Sequence, residues 1–179
     1  MTAAELVFNI RKTQPNLEHY QRIFNTSTFN VIKQEFDIPT IENVTLVQYD
    51  NEILNFVLNY DISAYRPFEL LFEKKLFETE DEIFFGWDIY GDRLGINKYT
   101  REVFNYNIEG DMITFYCAPN DLVFLEVLFE THLYWNETIV LQEEDELLLE
   151  ASERYINKIS SILIDPKYVN YYKVLINYE

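Results

Sequence analysis

Leu6, Phe8 and Ile10 fall on one side of an extended stretch from Glu5 to Arg11, a period of two that predicts a first strand. After Pro15 and Asn16 the spacing of Leu17, Tyr20, Gln21 and Phe24 is helical. Ser27 and Thr28 can cap a second short helix carrying Phe29, Ile32 and Phe36, and both helices would end before Pro39. The pattern then changes. Val44 to Tyr49 and Leu54 to Tyr60 flank Asp50-Asn51, and Leu54, Phe56, Leu58 and Tyr60 alternate with Asn55, Val57 and Asn59, so the segment reads as a β-hairpin. Ile53, Phe56, Val57 and Tyr60 also fit a helix, which leaves the second arm open.

The four glycines, Gly86, Gly91, Gly95 and Gly110, share one 25-residue window. Strands are expected over Glu82 to Asp88, Arg93 to Lys98, Glu102 to Asn107 and Met112 to Cys117. Turns at Tyr90 to Asp92, Tyr99 to Arg101 and Glu109 to Asp111 would join them. Connections this short imply an antiparallel meander. Pro119-Asn120-Asp121 stops the last strand and caps a helix to about Trp135, apolar on most sides and so buried against the sheet. Leu147, Ala151, Tyr155, Ile159 and Ile162 share one face of a helix from Glu143 to Leu163. Asp165-Pro166 sets an N-cap and first helical residue for a final helix over Lys167 to Asn177. The fold class is therefore α+β, a β-meander packed against helices, in a single domain over residues 1–179.

Composition supports a packed core. Apolar residues make up 48% of the chain, with 14 Tyr, 14 Phe and 2 Trp, so the net charge of −17 does not imply disorder. That charge is concentrated. By sequence, residues 1–75 carry seven Lys and Arg against ten Asp and Glu, residues 76–150 three against eighteen, and the remainder four against three. The middle third, with Glu78 to Glu82 and Glu143 to Glu146, predicts a strong negative potential over one part of the surface. Such a face either keeps the protein soluble or docks a basic partner. It repels phosphates, so direct nucleic-acid binding is not expected. The N-terminus does not read as a secretory signal, and no stretch is long enough to span a membrane, so a cytoplasmic location is expected.

Chemistry-bearing residues are few. His19 and His132 have no second histidine nearby, and Cys117 on an apolar strand reads as a small buried hydrophobe. Asp88 and Asp92 flank Gly91, where a turn-forming role is favoured over a cation site because the spacing is not that of a calcium loop. Gly86, Gly91 and Gly95 lack the Gly-Lys-Ser/Thr ending of a phosphate loop. No metal, cofactor or catalytic set is expected.

The stretch from Glu82 to Asn107, containing Leu94-Gly95-Ile96-Asn97 and Glu102-Val103-Phe104, followed by the capped helix Asp121 to Trp135, resembles the central part of the SUKH superfamily. Its members are mostly bacterial immunity proteins. The likeness covers about 55 of the 179 residues. It departs from the family pattern at Ile38-Pro39, followed here by a hairpin-like pattern, and at Asn59-Tyr60, which no glycine follows. The resemblance implies an α+β fold, no catalysis and neutralisation of a cognate toxin, often a nuclease, by direct binding. An acidic face suits a basic toxin domain. The contact residues expected on this reading are Asp81, Trp87, Asp88, Tyr90, Asp92, Tyr106 and Glu109, the aromatic ones as anchors. A general acidic interaction module, or a nucleic-acid mimic occupying a basic protein, is the alternative.

Overall fold

The computed structural model describes residues 1–13, 24–35, 38–41, 48–141 and 145–178, which form a single α+β domain. Five antiparallel strands lie in sequence order: β1 (Leu71–Glu78), β2 (Glu82–Trp87), β3 (Arg93–Asn97), β4 (Val103–Asn107) and β5 (Met112–Ala118). The last four follow the expected spans to within a residue, because Gly91, Gly110 and the neighbouring Asp and Asn residues fix the turns. The first strand was not expected. From the pair Phe72 and Gly86 to the pair Phe77 and Phe84, β1 advances five residues while β2 advances two. The extra residues break the apolar alternation around Lys74-Lys75 and blunt this free edge.

Among the described residues the α-helices are α1 (Ala3–Lys12), α2 (Thr26–Glu35), α3 (Glu52–Asn59), α4 (Asp121–Val140), α5 (Asp145–Leu163) and α6 (Pro166–Leu175). The expected strand over Glu5 to Arg11 is thus a helix. Thr2 and Glu5 close a reciprocal capping box, and Ala3, Leu6, Val7 and Ile10 form the buried stripe while Phe8 is exposed. The expected hairpin arm over Leu54 to Tyr60 is also corrected. Asn51 caps α3 by accepting from the Leu54 N–H, and Asn55 exchanges hydrogen bonds with the Tyr49 backbone, so polar side chains on the buried side serve the loop before the helix. Residues 44–47 of the first arm and residues 17–23 of the helix expected from Leu17 to Phe24 lie outside the described residues. In α2 the cap is Asn25, whose Oδ1 accepts from Thr28 N, rather than Ser27 or Thr28; Phe36 is outside the described residues.

One face of the sheet meets the helices. Phe85 packs edge-on against Phe124 of α4 and Phe72 edge-on against Phe56 of α3, while Phe115 lies tilted against Tyr171 of α6. Helix α4 runs through the centre, and α5 packs beside it through the Tyr134–Tyr155 stack, with ring centres 4.6 Å apart. Asp121, the first residue of α4, is buried; it accepts from Glu52 N and pairs with Arg101, tying α3 and the β3–β4 turn to the helix start. The opposite face of the sheet is aromatic in its own right. Phe84, Phe104, Tyr106 and Trp87 line it, and the Phe84 and Phe104 rings close over Gly95, which has no Cβ to obstruct them.

Candidate protein-interaction surface

In a meander, alternate turns fall at opposite ends of the sheet. The β1–β2 and β3–β4 turns share one end; the β2–β3 turn (88–92) and the β4–β5 turn (108–111) share the other. With about 3.3 Å per residue, the six residues of β2 place these ends about 20 Å apart. Among the described residues the middle-third acids therefore do not form one face, contrary to expectation; Glu143 and Glu144 lie outside the described residues. Glu78, Glu80 and Asp81 sit at the first end; Asp88, Asp92, Glu109 and Asp111 sit at the second. Others lie on helices and are paired: Glu137 and Glu150 with Arg154, and Glu130 with Lys158.

The second end gathers six of the seven expected contact residues. Trp87 is half-buried at the end of β2, with the Arg93 guanidinium 4.0 Å from its ring centre. Tyr90 is exposed on its turn, and its hydroxyl donates to the Val174 carbonyl at the end of α6. Asp92 accepts from the Asn107 amide at 2.7 Å, which joins the two turns. The Tyr106 hydroxyl donates to Asp111, and Glu109 is exposed beside it. Asp81 stands apart at the first end, where its carbonyl accepts from Lys98 N.

Asp88 takes the turn-forming role read from its place beside Gly91, and its burial sets it apart from the exposed contact residues with which it was also grouped. It is buried, Oδ1 accepts from Tyr90 N and Asp92 N, and Oδ2 accepts from the Asn105 amide at 2.9 Å. These bonds make the turn, which leaves the carboxylate no free edge to offer a partner. Burial holds Asp88 above the usual carboxylate range, against the donated N–H groups. Glu102 lies below that range, because it accepts from Lys167 at 2.6 Å and from the Tyr168 hydroxyl.

The two carboxylates should give opposite pH dependences. Asp88 binds its proton more tightly in the folded than in the unfolded chain, so its contribution to stability is greatest in acid and is lost as pH rises past the unfolded value of about 3.9. The Glu102 contribution is present above its unfolded value of about 4.3 and is lost as pH falls. Urea midpoints between about pH 3 and 6 should show Asp88→Asn removing a downward slope and Glu102→Gln removing an upward one. Two variants that both keep the wild-type slope would refute these assignments.

Sequence reasoning missed the apolar character of this end. Leu71, Ile89, Tyr90, Ile108, Met112 and Val174 are 37–58% exposed, and all lie in or beside the two turns. Leu71, Phe72, Glu73, Trp87, Asp88, Ile89 and Gly91 line an open cleft of about 480 Å³. The sequence signal was available in Ile89 and Ile108, apolar residues placed inside turns. Elsewhere, His132 is buried in α4 beside Tyr65, and Cys117 is buried with its thiol pushed up by burial. Among the described residues, no three His, Cys, Asp or Glu side chains form a group able to hold a metal, and no helix is long and apolar enough to cross a membrane. Comparisons of the chain with family models, curated proteins and solved structures find no match.

Proposed function

We propose that this chain is an immunity protein that neutralises a basic toxin domain by docking on it with the 88–92 and 108–111 end of the sheet. One observation carries the reading: the two turns put three solvent-reaching carboxylates, Asp92, Glu109 and Asp111, and no Lys or Arg among exposed apolar side chains. Apolar area at the centre with charge around it is the ordinary anatomy of a protein interface. An exposed apolar patch on an acidic molecule repels a second copy and favours a cationic partner. The SUKH-like pattern of residues 82–135 supplies the toxin as the class of partner.

The test is co-expression with a toxic basic domain encoded beside this chain. Growth should be rescued and the two proteins should co-purify. Joint reversal of Glu109→Lys and Asp111→Lys should weaken binding about tenfold or more, mostly through slower association. The same reversals at Glu80 and Asp81 should change it far less. Absence of rescue, or equal losses from the two ends, would overturn the proposal. Competition with DNA for many basic proteins would favour a nucleic-acid mimic in its place.

A further inference from the structure

Arg93 opens β3 at the same end of the sheet and lies on the aromatic face. Its guanidinium sits 4.0 Å from the Trp87 ring centre, 5.4 Å from Phe77 and 5.9 Å from Phe84. Three rings thus hold the charged group by cation–π attraction, with 23% of the side chain open to solvent. Its charged contact, Glu73, lies 3.8 Å from Nη1, beyond hydrogen-bond distance. Among the described residues the guanidinium donates no hydrogen bond.

A half-buried fork of N–H donors whose one carboxylate contact lies beyond hydrogen-bond distance is suited to bidentate capture of a planar anion. Glu73 lies 3.8 Å away, Asp92 precedes Arg93 in the chain and Asp111 is bonded to Tyr106, the strand partner of Arg93, so this end of an acidic molecule disfavours a small free anion arriving alone. A carboxylate delivered by a molecule that is otherwise positive meets no such barrier. We infer that Arg93, held in the Trp87, Phe77 and Phe84 box, reads a single Asp or Glu side chain on the cationic partner. The inference rests on the proposed docking of a cationic protein and adds its specificity determinant: acids attract basic proteins in general, and Arg93 selects those with a carboxylate at one point.

The probes are two blocked tripeptides, Lys-Asp-Lys and Lys-Asn-Lys, titrated at constant ionic strength into the full chain labelled with ¹⁵N. The signals followed are the Arg93 Nε–H and the Trp87 indole N–H. Net charge alone makes the Asn tripeptide the tighter ligand of an acidic protein. Carboxylate reading inverts that order: the Asp tripeptide should bind about threefold tighter or more and move the Arg93 signal, and Arg93→Met should restore the order set by net charge. An order in wild type that follows net charge overturns the inference without recourse to the variant. So does inorganic phosphate that moves the Arg93 signal at lower concentration than the Asp tripeptide. If both tripeptides bind at the two turns in the net-charge order, only the role of Arg93 falls; if neither binds there, the cationic-partner reading falls with it.

Discussion

Lowering the pH from 7 to 4 is expected to cost the folded chain about 3 kcal/mol through one side chain, His132, whose pKa burial lowers to about 4. The imidazole lies in the middle of α4, 1% exposed, between the rings of Tyr65 and Phe129 and within 3.1 Å of the Asn136 amide. Its charged form loses hydration there, so the folded state resists protonation. The unfolded chain takes up the proton near pH 6.5. The unfolded state therefore binds more protons between these values, and stability falls as pH falls through that window. Chemical denaturation of wild type and His132→Gln at pH 7 and pH 4 isolates the effect: their difference in unfolding free energy should change by about 3 kcal/mol. A His132 ring signal that titrates near pH 6.5 in the native protein would contradict it.

Gly86→Ala should be the most damaging small substitution in the sheet, at about 3 kcal/mol. A Cβ at this position would lie 2.4 Å from the Leu71 carbonyl oxygen and 3.4 Å from its carbon. Both are backbone atoms of the paired strand, so relief requires β1 to separate from β2 where Phe72 faces Gly86. That separation would open the cleft beside Trp87. Two other glycines provide the scale. At Gly95 the added carbon meets the Phe104 ring at 2.6 Å, and Phe104→Leu should restore part of the loss. At Gly91 the space is open and the cost is the positive φ of 81° alone, about 1 kcal/mol. Denaturant midpoints and Trp87 fluorescence across the three variants give the ranking; equal midpoints for Gly86→Ala and Gly91→Ala would overturn it.

The meander was readable because its turns are written in Gly, Asp and Asn, residues whose backbone preferences act locally. The errors arose where two periods coexist. Leu6, Phe8 and Ile10 alternate, yet Leu6, Val7 and Ile10 are the buried set; the Thr2 and Glu5 pair, three residues apart, is the signal that decides for the helix. At Asn51, Asn55 and Asn59 the polar residues recur every four positions on the buried side of α3, which imitates the polar side of a strand. Strand β1 was concealed by the extra residues that shift its register. For the surface, residue types pointed to Trp87, Tyr90, Asp92, Tyr106 and Glu109 together. Separation of Asp81, by contrast, follows from strand length and turn parity, which demand the whole topology. The inward carboxylate of Asp88 depends on an amide donated from Asn105, seventeen residues away.

Helix α6 has a further consequence for biosynthesis. It lies against β5, where Tyr172 donates to the Cys117 carbonyl and Tyr171 covers Phe115, and its far end receives the Tyr90 hydroxyl. The ribosome finishes the strands nearly fifty residues before it supplies this cover. During that interval Phe115 and Cys117 lack their lid and the tip carrying Tyr90 lacks its brace, so the emerging chain passes through a sticky stage that ends when the last turns of α6 settle into place.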